Sequence, residues 1–272
     1  MRHPRGLGPH DHVCWTYREP AEFRRQAGEF LTEGLALGQR VRLVGNGSTA
    51  ELTETLRELG LPPEDPAVEV VPVREGYPGL VVDPHAQVRA CAEATELALA
   101  EGFRGLRVAT EATELVRGDE ALTAFLRYEH LIDRYMVDKP FAALCAYDRT
   151  RLSEQHLTRL AAVHPITNSA LPGFHLHATD ADGCAAVLSG ELDLTTEDTL
   201  AELLRRVPLQ RGADELVLNA EELTFIDHRS LLLLTQHAGD TGARLVLRTA
   251  QPVVRQVAAL LELPNLKVED AA

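Results

Sequence analysis

Three residues near the start of the chain, His10, His12 and Cys14, alternate in the sequence and are of types that bind metal ions. Alternate side chains of a β-strand lie on one face of a sheet, and imidazole nitrogens and thiolate sulfurs are ligands that zinc prefers. His164 can supply a fourth ligand. However, no second ligand cluster follows at a fixed spacing, and cysteine is commonly a small buried apolar residue. We therefore expect no metal site and no cofactor, but whether the face of His10, His12 and Cys14 binds a metal stays open.

A site for nucleotide hydrolysis would need a glycine-rich loop with a lysine between the first strand and the first helix. Residues 17–22 occupy that place, but they contain no glycine or lysine, and the carboxylates of Glu19 and Glu22 would repel a triphosphate. Residues 45–49 contain glycine without the Lys-Ser/Thr pair and are typical of a tight turn before a helix. We expect no enzymatic activity, and a nucleotide-binding or ATPase-like switch enzyme is the alternative.

Polar residues also follow the predicted strands. Ligands of open α/β sheets bind at the carboxyl ends of strands. The polar residues at these ends are Tyr17, Asn46, Glu111, Tyr147 and Asp148. We expect them to converge on a ligand site.

Arg107, Glu129 and Cys145, together with Glu111, can form an inner polar network. Such a network either binds a ligand or serves the fold, because a buried arginine–carboxylate pair is often structural. Both interpretations stay open at this point.

The elements that must position these residues alternate between short β-rich runs and longer helical segments, which is the pattern of a parallel sheet covered by helices. The predicted strands span residues 13–16, 40–44, 68–73, 106–109 and 141–147. Helices are predicted between them, with a capping box at Ser48 and Glu51, a cap at Asp83 before Pro84, and further helices over residues 119–136 and 154–163.

The order of elements changes after residues 164–173, which contain two prolines and no periodicity and are predicted to be a linker. Residues 174–179 and 184–189 are predicted to form a hairpin around residues 180–183. A helix (196–206), a strand (215–218), a helix from His228, a strand (244–247) and a helix from Pro252 follow. We expect an α/β protein of two domains, over residues 10–168 and 173–272.

The formal net charge of -14 is spread over both halves of the chain. We therefore expect no direct binding to nucleic acid or to an anionic membrane. Residues 1–12 are polar and lack an apolar core of signal-peptide length, and no apolar run approaches membrane-spanning length. The four cysteines lack a C-x-x-C pair. We predict a soluble cytoplasmic protein with reduced thiols.

Several motifs of the second domain resemble a STAS domain of the anti-sigma-factor-antagonist type. They are Leu188-Ser189-Gly190-Glu191-Leu192-Asp193, Leu216-Val217-Leu218-Asn219 and Leu223-Thr224-Phe225-Ile226-Asp227. The resemblance implies a mixed-sheet α/β domain that binds an anti-sigma factor of the serine-kinase type. In that family the kinase phosphorylates a serine that opens a helix, and the added charge can abolish the fit between the partners.

This chain departs from the family at that position. Asp227-His228-Arg229-Ser230 places His228 where the phosphoserine belongs and Ser230 where glycine is usual. We interpret Asp227 as the helix N-cap and residues 227–230 as part of a docking surface. Whether docking persists without control by phosphate, and whether Ser230 or His228 is phosphorylated, stays open.

Motifs of the first domain, in order, resemble a MEDS domain, a sensory module. They are His12-Val13-Cys14-Trp15-Thr16-Tyr17, residues 29–35, residues 105–108, Tyr128-Glu129, residues 144–148 and His164-Pro165. The resemblance implies a degenerate RecA/KaiC-like fold with a parallel sheet, and a pocket that senses a small molecule or a partner. The pocket residues implied by these motifs and by the strand ends are His12, Cys14, Tyr17, Arg107, Glu111, Glu129, Cys145, Tyr147 and His164.

Together these features predict a signal-transduction protein that regulates transcription through an anti-sigma factor. The first domain senses, and the second domain is the output. A small-molecule ligand and self-association into a homo-oligomer are both compatible with the sequence.

Overall fold

The computed structural model describes residues 4–179, 181–209 and 214–270. The first domain contains a parallel sheet with the strand order β3-β2-β4-β5-β1-β6. Its strands are β1 His12–Tyr17, β2 Arg40–Gly45, β3 Val68–Pro72, β4 Leu106–Glu111, β5 Phe141–Asp148 and β6 Ile166–Thr167. Its helices are α1 Pro20–Ala36, α2 Thr49–Glu58, α3 Val73–Gly76, α4 Pro84–Ala100, α5 Asp119–Met136 and α6 Glu154–Ala162.

The helix starts follow from the local sequence. Ser48 and Glu51 form the predicted capping box of α2, in which each side chain accepts from the other residue's backbone N–H. Asp83 caps α4 by accepting from the N–H of Ala86, and Pro84 occupies the first turn, where its missing N–H costs nothing. These caps fix where the helices that cover the sheet begin.

The sheet is covered on both faces. Along β1, Val13 and Trp15 pack on one face with α1 and α2, whereas Cys14 belongs to the cluster on the other face, against α5 and α6. The same alternation places Leu144 with α1 and Cys145 with α5. Strand parity therefore decides which side chains can meet on each face of the sheet.

The second domain is built on a mixed sheet with the order β10-β8-β9-β11-β12, in which β7 also pairs with β8. The β7–β8 pair is antiparallel and the other pairs are parallel. Its strands are β7 Phe174–Ala178, β8 Ala186–Leu192, β9 Glu215–Asn219, β10 Leu223–Ile226, β11 Arg244–Arg248 and β12 Leu266–Glu269, and its helices are α7 Glu197–Arg206, α8 His228–Asp240 and α9 Pro252–Leu261. The α/β class with two sheets is confirmed.

The structure differs from the sequence prediction in its shortest elements. Residues 166 and 167 lie in the predicted linker but form β6, which pairs with β1. Strands β10 and β12, of four residues each, are also absent from the prediction. Runs this short carry no measurable periodicity, so pairing with a neighbouring strand determines them. The predicted hairpin turn includes residue 180, which lies outside the described residues.

The two domains pack against each other through α5 and α6 of the first and β7 and α7 of the second. Arg134 on α5 donates to the carbonyl oxygen of Ala185 at 3.0 Å. Arg206 at the end of α7 donates to Asp119 Oδ1 at 2.7 Å. One cluster of buried apolar side chains continues across this boundary. Helices α5 and α6 therefore contribute to the cores of both domains.

Within the described residues, no helix combines the length and the apolar character that crossing a membrane requires.

Candidate functional site

A buried histidine at the start of β1 lies between two carboxylates of α5. His12 Nδ1 is 2.7 Å from Asp133 Oδ1, and His12 Nε2 is 3.0 Å from Glu129 Oε2. Residues one helical turn apart lie on the same face of a helix, so Glu129 and Asp133 both point at β1. All three side chains are almost completely inaccessible to solvent. The arrangement is a buried, charge-paired triad.

Two more aromatic groups converge on Glu129. Tyr147 on β5 donates from its hydroxyl to Glu129 Oε1 at 3.0 Å. His164, just after α6, has its Nε2 3.6 Å from the same oxygen. His164 Nδ1 donates to the carbonyl oxygen of Leu160 at 2.7 Å. The rings of His12 and His164 lie 4.2 Å apart between centroids.

Cys145 on β5 completes this group, because its Sγ is 3.6 Å from His12 Nε2. We call His12, Glu129, Cys145, Tyr147 and His164 the core polar cluster. Burying so many polar groups would be unfavourable unless they were paired with each other or with a ligand. The cluster is therefore the strongest candidate for a functional site among the residues that the structure describes.

The surroundings of His12 and His164 shift their pKa values in opposite directions. Burial disfavours a charged imidazole at His12, but the carboxylates of Glu129 and Asp133 outweigh burial and raise its pKa well above the ordinary value. Burial and the positive charge of His12 lower the pKa of His164 to about 4. Burial and Glu129 raise the pKa of the Cys145 thiol to about 12. At neutral pH, His12 is therefore charged, whereas His164 and the thiol are neutral.

A cavity of about 230 Å³ borders the cluster on the α4–α5 side of the sheet. An apolar cavity of about 150 Å³ is already large enough for benzene. The side chains around it are mostly apolar or aromatic and include Val44, Tyr77, Cys91, Val108, Tyr128 and Cys145. Cys145 belongs to both the cavity wall and the core polar cluster, so a molecule in the cavity would contact the cluster.

A second pocket, of about 330 Å³, lies at the carboxyl edge of the sheet. Of the residues expected to converge there, Tyr17, Asn46, Glu111 and Asp148 line it, whereas Tyr147 points into the core polar cluster. Tyr17 donates from its hydroxyl to Glu111 Oε1 at 2.9 Å, and Asn46 donates to the other carboxylate oxygen. Tyr17, Asn46 and Glu111 of this edge pocket are thus bonded to one another, whereas Asp148 Oδ1 accepts from Thr150.

The structure separates Arg107 from both sites. Arg107 lies on the α1 face, completely buried, where it donates to the carbonyl oxygen of Leu7 at 2.8 Å and to Gln39 Oε1 at 2.8 Å. Its guanidinium also lies 4.6 Å from the centre of the Phe30 ring. These partners show that Arg107 secures the segment before β1 to α1.

The alternating histidines and cysteine divide in a similar way. His10 is exposed before β1, and its Nδ1 lies 2.9 Å from the carbonyl oxygen of Met136. Cys14 lies on the same face of β1 as His12 and is paired with Cys145 in the strand register. The group of close ligand atoms, however, contains Cys145 and not Cys14. The set suggested by the alternation therefore does not assemble as one group.

Asp133 is the site residue that the sequence analysis missed. The sequence could have indicated Asp133 by its spacing, because it lies one helical turn after Glu129 on α5. Both carboxylates lie on the buried face of that helix. A carboxylate on the buried face of an amphipathic helix is unusual, because charged residues are rarely buried without a partner.

Helix α8 begins as expected in the second domain. Asp227 is the N-cap and accepts from the N–H of Ser230 at 2.8 Å. His228 and Arg229 are exposed in the first turn, whereas Ser230 is completely buried. The Ser230 hydroxyl is thus shielded from a kinase in this conformation.

The family model described as the MEDS domain, the MEthanogen/methylotroph, DcmR Sensory domain, matches residues 11–165. No curated protein matches the chain at a significant level. The matched range covers more than half of the chain and contains every element that supplies the core polar cluster. The chain therefore belongs to the MEDS family of sensory-domain proteins.

Proposed function

We propose that this chain is a cytoplasmic signal-transduction protein. In this proposal, the MEDS domain senses a small molecule, and the second domain acts as a STAS-type output that binds an anti-sigma factor of the serine-kinase type. The single observation that carries the proposal is the position of α5, which lies between the core polar cluster and the second domain.

Helix α5 contacts both sides through different faces. Glu129 and Asp133 point into the core polar cluster. Arg127 donates to the carbonyl oxygen of Arg206 at 2.9 Å, and Arg134 donates to that of Ala185. A displacement of α5 by a bound molecule would therefore alter contacts that hold the second domain. A packed helix moves between discrete arrangements, which is how a local event spreads.

The cavity beside Cys145 suits the sensing role. Its size and its mostly apolar lining, which also includes Arg42 and Glu75, favour a small, largely apolar molecule with a polar group. Tyr128, the neighbour of Glu129 on α5, borders it. The edge pocket is less suitable, because Tyr17, Asn46 and Glu111, which were expected to bind the ligand, already bond to each other. A ligand shifts a conformational equilibrium only if it binds the two states differently, and this cavity adjoins the helix that must move.

The output role rests on the sequence resemblance and on the surface around the start of α8. Phe225 and Leu232 flank this turn, and their exposed fractions are 41% and 42%. His228 and Arg229 lie exposed between them. Exposed apolar side chains next to charged ones are typical of protein-binding surfaces. We call Phe225, His228, Arg229 and Leu232 the docking surface. In our proposal it binds without control by phosphate at Ser230.

The proposal is tested by titrating the full chain against serine-kinase-type anti-sigma factors from its own genome. We expect one of them to bind and Leu232→Glu to weaken binding at least about 10-fold, since a charge placed in an apolar contact costs more than about 1.4 kcal/mol. Leu99→Glu is the matched control, because Leu99 has the same exposed fraction of 42% but lies on α4. Absence of any complex, or equal weakening by both substitutions, would contradict the proposal.

His228→Ser provides a second test of the same surface. It places a hydroxyl in the exposed first turn of α8. With the partner kinase and ATP, we expect phosphate to be incorporated in the variant but not in the wild-type chain, and the phosphorylated variant to lose the partner. Intact mass spectrometry measures the incorporation. Phosphorylation of the wild-type chain at Ser230 would contradict our account.

We propose binding rather than catalysis for the MEDS domain. Helix α1 begins directly after Glu19, with Pro20 in its first turn, where a phosphate-binding loop would have to lie. Calorimetric titration of the full chain with ATP is expected to give no heat of binding. A measurable affinity would favour the nucleotide-switch alternative.

A further inference from the structure

Four side chains of the core polar cluster are of types that bind transition metals. His12, Glu129, Cys145 and His164 each offer one ligand atom, and these atoms all lie within 4.8 Å of one another. We propose that these four residues bind one divalent transition-metal cation, for which Zn²⁺ is the best fit. This proposal goes beyond the proposed function. It does not depend on which molecule the MEDS domain senses or on which partner the second domain binds.

Two of the distances between ligand atoms match a tetrahedral site, and all four atoms lie within 4.8 Å of one another. Zinc bonds of about 2.0–2.1 Å to nitrogen or oxygen and about 2.3 Å to sulfur place neighbouring ligand atoms about 3.4–3.6 Å apart. His12 Nε2 is 3.6 Å from Cys145 Sγ, and His164 Nε2 is 3.6 Å from Glu129 Oε1. His12 Nε2 lies 3.0 Å from the other carboxylate oxygen of Glu129, Oε2, which is somewhat below this range. Only one of the two oxygens serves as the ligand atom. Small side-chain adjustments would therefore complete the geometry.

Both histidines are oriented as metal ligands usually are. A ligating imidazole commonly donates its other ring N–H to a carboxylate or a backbone carbonyl. His12 Nδ1 lies 2.7 Å from Asp133 Oδ1, and His164 Nδ1 lies 2.7 Å from the carbonyl oxygen of Leu160. In both residues the Nε2 atom is thereby directed to the centre of the cluster.

The bond to Leu160 also leaves an unpaired group. Because His164 Nδ1 donates to that carbonyl, Nε2 is the ring nitrogen that is left to bind a metal ion. This nitrogen is completely buried and has no hydrogen-bond partner among the residues that the structure describes. It faces Glu129 Oε1, which is also an acceptor. Two acceptors that face each other in a buried site are stabilised by a cation between them.

The chemical types of the ligands select the metal. Two imidazole nitrogens, one thiolate and one carboxylate suit zinc and its transition-metal neighbours, whereas Mg²⁺ and Ca²⁺ prefer oxygen ligands throughout. The thiolate and the carboxylate supply two negative charges for a divalent cation. When the cation binds, the Cys145 thiol and the His12 imidazolium each release a proton to solvent. The net charge of the buried cluster stays unchanged.

A cation here would join four separate elements of the MEDS domain. His12 lies on β1, Glu129 on α5, Cys145 on β5 and His164 directly after α6. His164 also links to the second domain, because its carbonyl oxygen is 2.8 Å from Nδ1 of His175 on β7. The site would therefore fix α5 and α6 against the sheet, next to the cavity.

The test begins with the full wild-type chain, stripped of metal by a chelator and titrated with Co²⁺. Cobalt occupies zinc sites and reports a thiolate ligand by a charge-transfer absorption band in the near ultraviolet. We expect this band to saturate at one Co²⁺ per chain and to disappear when Zn²⁺ is added. A folded chain that gives no band, and whose thermal midpoint is unchanged by Zn²⁺, would overturn the proposal.

Variants then identify the ligands. Cys145→Ser is expected to abolish the band, whereas Cys14→Ala, at the equally buried cysteine directly opposite on β1, is expected to keep it. Asp133→Asn is expected to keep the band but to weaken Zn²⁺ binding about 10–100-fold, which is the usual effect of losing a residue that orients a ligand. A band that survives in folded Cys145→Ser, or is lost in folded Cys14→Ala, would contradict the assignment. If Cys145→Ser does not fold, the titration of the wild-type chain tests the proposal, and saturation of the band at one Co²⁺ per chain supports it.

Discussion

Buried polar residues of the MEDS domain differ in how completely their polar atoms are paired within the protein. The core polar cluster gathers groups whose pairing leaves the Nε2 atom of His164 without a hydrogen bond within the described structure. Arg107 is also fully buried, but its guanidinium donates to acceptors that belong to the chain itself, such as the carbonyl oxygen of Leu7. A buried group with a complete set of protein partners stabilises the fold, whereas one without them is better placed to bind a ligand.

Replacing Arg107 tests its structural role. Arg107→Met keeps much of the apolar stem but leaves the acceptors of Leu7, Gly8 and Gln39 without their donor. We expect the free energy of unfolding to fall by about 3 kcal/mol, because each buried acceptor left unpaired costs about 1–3 kcal/mol. Urea denaturation measures this change, and hydrogen exchange should show faster exchange before β1. An unchanged stability would show that solvent replaces these bonds.

Ser230 gives a second prediction at the scale of the residue. Its hydroxyl is buried and finds no hydrogen-bond partner within the described part of the chain. Ser230→Ala should therefore leave the free energy of unfolding unchanged or raise it by up to about 1 kcal/mol. Ser230→Asp should lower it by several kcal/mol, because an unpaired carboxylate would be buried. Thermal denaturation of both variants compares them, and a stable Ser230→Asp chain would mean that this turn opens.

At the scale of secondary structure, the long helices and the central strands could be predicted from the sequence. The predicted helix over residues 119–136 coincides with α5, and the caps at Ser48 and Asp83 are observed. Periodicity and capping are local signals, so they carry over to the structure. The short strands β6, β10 and β12 could not be predicted, because their only cause is pairing with a distant strand.

The sequence was sufficient to name most residues of the candidate site, but not to predict which of them lie together. Alternation along β1 places His12 and Cys14 on the face opposite Tyr17. Only the pairing register of β1 with β5 shows that Cys145 and Tyr147 lie on the same face as His12 and Cys14. A slip of this register by one residue would place Cys145 and Tyr147 on the other face, and alternation within one strand does not exclude such a slip.

The packing of α1 on the sheet leads to a prediction at the scale of the element. Gly34 lies where α1 approaches the sheet, and a Cβ there would stand 2.7 Å from Arg107 Cδ and 2.9 Å from Val41 Cγ1. Gly34→Ala should lower the free energy of unfolding by about 1–3 kcal/mol through overpacking, despite the better helix propensity of alanine. Urea denaturation provides the measurement. A more stable variant would show that α1 can shift outward at little cost.

At the scale of the whole molecule, the two domains share one continuous apolar core through α5 and α6. A change at the cavity and a change at the docking surface are therefore linked by packed side chains rather than by a flexible linker. In the proposed mechanism this link is reciprocal, so we expect the occupant of the cavity and the partner to affect each other's binding equally.

The most direct test of this link is to fill the cavity and to measure binding of the anti-sigma factor. Ala143 lies on β5 in the cavity wall, and Ala143→Leu would place additional methyl groups inside. Ala50→Leu, at an exposed position of α2, adds the same groups elsewhere. We predict that Ala143→Leu changes the affinity for the partner at least about 5-fold and that Ala50→Leu does not. Equal affinities for both variants and the wild-type chain, with the folds intact, would contradict the claim that the MEDS domain controls the second domain.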